Sequence, residues 1–187
     1  MKLTVIGAGS TYSPELIDGI VARTNMFPVT EIAFMDIDEN RLKWVTDFCQ
    51  RMVIHRKSTL EITSTISLKK ALRGADFVVT QIRVGGQESR NWDINLGKKH
   101  GIIGQETTGV GGFSKAMRTI PDIMQICRTI EEVAPKAWLI NFTNPSGIVT
   151  EAISRYSDVK CIGLCNVPIN MLFNVAKLLE VDPKEIY

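Results

Sequence analysis

The sequence predicts a doubly wound α/β domain built on a mostly parallel sheet, and three observations carry that prediction. Short apolar runs rich in β-formers alternate with amphipathic stretches at helical period. The fourth run, Phe77 to Ile82, is apolar on both faces, as a central parallel strand requires. The first run, Lys2 to Ile6, ends abruptly in Gly7-Ala8-Gly9-Ser10, a sharp turn from strand to helix.

That turn has the chemistry of a phosphate cradle. Gly7 permits the tight bend and Gly9 leaves no side chain between backbone and ligand, so a pyrophosphate can lie against free N–H groups at the start of the next helix, Pro14 to Arg23. The next strand, Thr30 to Met35, delivers Asp36 to its carboxyl end, where a carboxylate accepts from an adenosine ribose. Asp36 would repel a 2′-phosphate, which favours NAD over NADP. The usual third glycine is absent and Tyr12 stands at its spacing, so a purely structural turn is the competing reading. With Tyr12 there, the helix is expected to pack less closely on the sheet.

With 187 residues and 44% hydrophobic content, the chain can bury one sizeable core, enough for one domain or slightly more. Its net charge of +2 comes from 22 basic and 20 acidic residues mixed along the sequence, so no electrostatic case exists for nucleic acid or a membrane surface. No apolar run reaches spanning length and the start reads as a strand rather than a signal peptide, which predicts a soluble cytoplasmic protein. Cys49, Cys127, Cys161 and Cys165 are too scattered for a disulfide framework.

Beyond Asp36, Glu39 to His55 places Leu42, Val45, Phe48, Cys49, Met52 and Val53 at helical spacing. Leu60 to Thr63 alternates like an edge strand, Ser67 caps the short helix Leu68 to Leu72, and Gly74 ends it. After the fourth strand, Arg83 to Gly112 reads as one long glycine-rich loop that closes over or lines a ligand. Arg83 and Arg90 in it offer forked donors for a second anion, or else surface ion pairs.

Ser114 to Glu132 is the longest predicted helix, with Met117, Ile120, Ile123, Met124, Cys127 and Ile130 as its buried stripe and Pro121 inside it as a kink or restart. The fifth strand, Ala137 to Phe142, leads to Thr143-Asn144-Pro145, where Asn144 either only caps the helix Ile148 to Tyr156 or also contacts a ribose or substrate hydroxyl. The sixth strand, Val159 to Leu164, ends at Cys165-Asn166. A thiol there, just before the helix Ile169 to Leu179, is inert packing or a ligand for a soft or borderline divalent metal.

Taken together, Gly7-Ala8-Gly9-Ser10, Ile82-Arg83-Val84-Gly85-Gly86, Gly104-Gln105-Glu106-Thr107-Thr108-Gly109, Asn141-Phe142-Thr143-Asn144-Pro145-Ser146-Gly147 and Cys165-Asn166-Val167-Pro168 closely resemble the N-terminal half of glycoside hydrolase family four, particularly its 6-phospho-β-glucosidases. The resemblance covers essentially the whole chain and implies a Rossmann-like dinucleotide-binding domain from a group of NAD-dependent glycosidases. It implies that NAD takes a hydride from C3 of a 6-phosphoglycoside and that the ketone acidifies the C2 proton. Loss of that proton expels the aglycone; water then adds and the hydride returns. A divalent metal, manganese by resemblance, stabilises the enediolate charge.

Gly7, Gly9, Ser10, Asp36 and Arg83 are the expected cofactor-binding residues and Arg90, Asn144 and Asn166 the expected substrate-binding ones; the resemblance assigns Cys165 to the metal, with a histidine further along. It assigns Arg90 to the 6-phosphate and Asn144 to the substrate hydroxyls. Asn166 stands where α-specific relatives carry an aspartate proposed as the acid, which favours a β-glycoside. Family chains are roughly twice as long, consistent with a second domain completing the enzyme. The second metal ligand and the tyrosine base are therefore expected beyond Tyr187, since the two histidines, His55 and His100, lie upstream of Cys165. The expected partner is a phosphorylated disaccharide or aryl glycoside, the expected assembly a homo-oligomer, and residues 1–187 alone are expected to be inactive. The rival readings are a lactate- or malate-type 2-hydroxyacid dehydrogenase, which would need no metal, and a non-catalytic NAD sensor.

Overall fold

Six short strands, β1 (Lys2–Ile6), β2 (Glu31–Met35), β3 (Glu61–Thr65), β4 (Phe77–Thr80), β5 (Trp138–Asn141) and β6 (Lys160–Gly163), form one sheet in the order β3-β2-β1-β4-β5-β6. Every pairing is parallel. The computed structural model describes residues 1–186. The connections are α1 (Ser13–Val21), α2 (Glu39–His55), α3 (Leu68–Leu72), α4 (Gly86–Lys99), α5 (Gly109–Val133) and α6 (Ser146–Tyr156), with α7 (Asn166–Leu179) following β6. Among the described residues, no helix is long and apolar enough to cross a membrane.

Alternation along each strand sorts the core into two layers. Ile6, Ala33, Met35, Val78 and Leu139 face α3, α5 and α6, packing on Leu72, Ile123, Cys127, Ile130, Val149 and Ile153. Leu3, Val5, Ile32, Phe34 and Val79 face the opposite way and are covered by Ile17 and Ile20 of α1 and by Leu42, Cys49 and Val53 of α2. Over β5 and β6 this second face stays open. Ile162 and Leu164 are exposed, and so are Val167, Ile169, Met171, Phe173, Val175, Leu178 and Leu179 of α7.

Three sequence expectations are corrected here. The long loop contains a 14-residue helix, α4, whose buried side chain is Asp93 and whose other buried residue is Gly97, so no apolar stripe announces it. The glycines at 109, 111 and 112 belong to the first turn of α5 rather than to a loop. A Cβ on Gly111 would lie 2.1 Å from the Gln105 carbonyl oxygen and 2.9 Å from that of Asp93, so close approach of chain to chain explains the glycine. Phe48 and Met117, predicted to be buried, are exposed; Thr46 fills the α2 stripe, and Ala116, Thr119 and Ile126 that of α5. Pro121 lies within a continuous helix.

Candidate functional site at the carboxyl edge of the sheet

The strand order reverses direction between β1 and β4, and open parallel sheets bind ligands beyond the strand ends at such a point. The Gly7–Ser10 turn leaves β1 there. Gly7 has a left-handed φ of +86°, and a Cβ on it would stand 2.8 Å from the Gln81 carbonyl oxygen at the end of β4. Gly9 is pressed between β2 and α2: a Cβ would meet Asp36 Oδ2 at 2.9 Å and Arg41 Cβ at 3.1 Å.

The expectation of free amides in this turn is corrected. The N–H groups of Gly7 and Ala8 donate to the Met35 carbonyl, Ser10 to Gly7, Ser13 to the Ser10 carbonyl and Tyr12 to Ser10 Oγ. Gly9 N donates to Asp36 Oδ2 at 2.8 Å. Thr11 N–H is left without an acceptor among the described residues. The cause is the compactness of the turn, which closes on itself and on the neighbouring strand end. Asp36 is engaged from both sides, since Oδ1 also accepts from Asp38 N at 3.0 Å. Each carboxylate oxygen has two acceptor sites, so capacity for ribose hydroxyls remains.

Tyr12 does not hold α1 away from the sheet. Its ring turns outward and meets Phe142 edge-on at 6.1 Å, leaving Tyr12 half exposed. The neighbour, Ser13, takes the close-packed position with no exposure. Its hydroxyl donates to the Ala8 carbonyl at 2.7 Å and accepts from Gln81 Nε2 at 2.8 Å, and Gln81 also donates to the Gly7 carbonyl. The small residue beside the turn is thus Ser13, one place later than the position of the third glycine in the usual spacing.

At the end of β5, buried Asn141 organises the next loop. Its Oδ1 accepts from Thr80 Oγ1 at 3.0 Å and from Thr143 N at 3.1 Å, while Nδ2 donates to the Thr143 carbonyl and to Thr150 Oγ1. Thr143 Oγ1 in turn accepts from Ile82 N at 3.1 Å, tying β4 to this loop. Asn144 is not the N-cap expected of it: Pro145 occupies that position, α6 starts at Ser146, and Asn144 Oδ1 accepts from Ser146 N at 3.3 Å as an Asx-type turn. Ser146 Oγ donates to the Leu164 carbonyl at 3.0 Å, so the Asn144 and Cys165 loops adjoin. Cys165 is exposed at the N-cap of α7, and Asn166 opens that helix, earlier than the predicted Ile169.

The segment after β4 holds a charge cluster that the sequence reading missed. Glu106 is bound by Arg83 Nη1 at 2.5 Å, by Arg90 Nε at 2.8 Å and by Lys115 Nζ. Both arginines singled out as anion donors therefore share one carboxylate, with two positive charges in excess. Burial works against the Glu106 charge, but hydrogen bonds from Lys115 and Arg83 outweigh it and hold its pKa below the usual carboxylate value. Lys115 is almost fully buried, and burial lowers its pKa despite the Glu106 partner. Arg118 pairs with buried Asp93 at 2.5 Å and pins α5 to α4.

Among the described residues, no group of three His, Cys, Asp or Glu side chains converges to hold a metal ion. Cys165 supplies one accessible thiol, so a metal here would need ligands in addition to the described side chains.

The reversed strand order, the glycine turn and the acidic end of β2 define a doubly wound domain of the Rossmann type. The profile of family 4 glycosyl hydrolases matches residues 2–181, and the chain belongs to that family. It is 48% identical over 185 residues to a probable 6-phospho-β-glucosidase of Bacillus subtilis, covering 97% of this chain and 42% of that protein. The 6-phospho-β-glucosidase of Thermotoga maritima, solved with manganese, NAD+ and glucose 6-phosphate, superposes with a TM-score of 0.91 at 39% identity over all of this chain and 46% of that one. A lactate dehydrogenase of Eimeria maxima shares the fold, with a TM-score of 0.70 at 14% identity, over 98% of this chain and 50% of that chain. The chain thus spans less than half the length of the glucosidases it matches.

Proposed function

We propose that residues 1–187 form the NAD-binding half of an NAD- and manganese-dependent 6-phospho-β-glucosidase. The observation that carries this reading is the Gly7–Ser10 turn at the strand reversal, locked to Asp36 at the end of β2, in a chain of family 4. The named cofactors and sugar phosphate of the Thermotoga relative support the same assignment.

When bound, NAD would supply reversible hydride transfer at C3 of the sugar. Gly7, Gly9 and Ser10 shape the floor for its diphosphate, and the open sites on Asp36 receive the adenosine ribose and disfavour a 2′-phosphate. Arg83 and Arg90 carry the excess positive charge of the Glu106 cluster; Arg90 holds the 6-phosphate and Arg83 lies toward the cofactor. The Asn144 amide, fixed by its turn, orients the sugar hydroxyls beside Cys165 and Asn166. Cys165 is the thiol ligand for the metal, and Asn166, lacking a carboxylic proton, fits a β- rather than an α-glycoside. A cytoplasmic location and a homo-oligomeric assembly belong to the same reading, the assembly supported by the exposed apolar side chains of β6 and α7.

The test is calorimetric titration of the chain with NAD and NADP, alongside incubation with 4-nitrophenyl 6-phospho-β-glucoside. NAD binds at least tenfold more tightly than NADP, and the chain alone releases no nitrophenol. Absence of NAD binding overturns the proposal. Net NADH formation from lactate or malate would replace it with a dehydrogenase.

A further inference from the structure

We infer that Arg41, on the first turn of α2, is a binding residue for the diphosphate of the dinucleotide; the inference rests on the NAD reading above. Gly9 is gripped at both ends of its residue. Asp36 Oδ2 accepts its N–H at 2.8 Å, while Arg41 donates to its carbonyl from Nε at 3.2 Å and from Nη2 at 3.0 Å. The carboxylate and the guanidinium thus flank one glycine without pairing with each other. Arg41 joins no ion pair among the described residues.

The turn needs such a cation. Its amides are consumed within the chain apart from Thr11 N–H, and a helix N-terminus contributes only about half a positive charge against the two negative charges of a diphosphate. Arg41 brings a full charge and, with Nε and Nη2 anchored on Gly9, an Nη1 amino group free to donate. Anchoring also fixes the long side chain before ligand arrives, so little rotamer entropy is lost on binding. Asp36 beside it disfavours a 2′-phosphate, which leaves the bridging diphosphate as the anion.

The experiment titrates NAD into wild-type chain, Arg41→Gln and Arg41→Lys at low salt and at 1 M NaCl, with circular dichroism to verify folding. In Arg41→Gln the affinity falls about tenfold at low salt, the scale of a lost charge-assisted hydrogen bond. The deficit narrows at high salt, where the charge is screened. Arg41→Lys, which keeps charge and loses the fork, lies between and carries the test if the glutamine variant does not fold. A deficit identical at both salts marks a role in turn shape alone and overturns the inference, as does unchanged affinity. Failure of wild-type chain to bind NAD overturns the NAD reading, whereas wild-type binding with an unaffected Arg41→Gln overturns only the role of Arg41.

Discussion

Asp36 Oδ2 and the Gly9 amide nitrogen are 2.8 Å apart, so the carboxylate at the end of β2 locks the glycine turn at the end of β1. Removing it acts on both the turn and the ribose. In Asp36→Ala, NAD affinity falls about tenfold and the gap between NAD and NADP narrows, because a hydrogen-bonded carboxylate and a source of repulsion are lost together. Titration of both dinucleotides reads this directly; an unchanged ratio would mean that Asp36 does not face the ribose.

Gly9→Ala places a Cβ 2.9 Å from Asp36 Oδ2 and 3.1 Å from Arg41 Cβ, so the turn must open. Overpacking of this kind destabilises by about 1–3 kcal/mol. Urea unfolding reports the loss, and NAD affinity falls with it; a variant as stable as wild type would show that the α2 start yields without strain.

Asn141 is fully buried and bonds to Thr80, Thr143 and Thr150. Asn141→Leu keeps the volume and strands those partners, at a cost of about 2–4 kcal/mol. Chemical denaturation measures it. A loss below 1 kcal/mol would mean that water replaces the amide at this position.

The folded pKa of Glu106 lies below its unfolded value of about 4.3. As pH falls, the unfolded chain takes up the proton first, so this stabilisation is complete above about pH 4.3 and is lost as pH drops through the folded pKa. The difference in stability between wild type and Glu106→Gln therefore shrinks on acidification below pH 4.3. Unfolding curves from pH 7 to pH 3 test it, and a difference independent of pH would refute the pairing.

The four thiols separate by environment. Burial pushes Cys49 and Cys127 up to about 11, and burial also raises Cys161, whereas Cys165 is exposed. A thiol reagent at pH 8 gives one fast equivalent that disappears in Cys165→Ser; a fast phase surviving that substitution would place the accessible thiol elsewhere.

The order of strands and helices was legible because buried parallel strands write themselves as apolar runs, and because the second strand ends on an acid. What stayed hidden was buried polarity. Helix α4 turns Asp93 and Gly97 inward, Lys115 lies inside α5 against Glu106, and Asn141 stands in a strand as if it were merely its polar end. Asp93, Lys115 and Asn141 each depend on a partner 9 to 61 residues away, from Lys115–Glu106 at the near end to Thr80–Asn141 at the far end, and periodicity carries no information about such partners. Tyr12 misled because spacing alone cannot tell which side of the turn its ring leaves by. Arg83, Arg90 and Cys165 were found because forked cations and a thiol at strand ends are conspicuous, although the carboxylate joining the two arginines was not.

The first strand of this sequence is the one that ends in the middle. β1 is flanked by β2, about thirty residues downstream, and by β4, whose Phe77–Thr80 lie opposite Leu3–Ile6. Until some seventy further residues have emerged from the ribosome, β1 offers an unsatisfied edge to whatever is nearby, and closing that long loop is entropically slow. The glycine turn is completed by the same event, since Gln81, just past β4, is what reaches Gly7 and Ser13. How soon residues 77–81 leave the exit tunnel therefore governs how long β1 keeps that open edge.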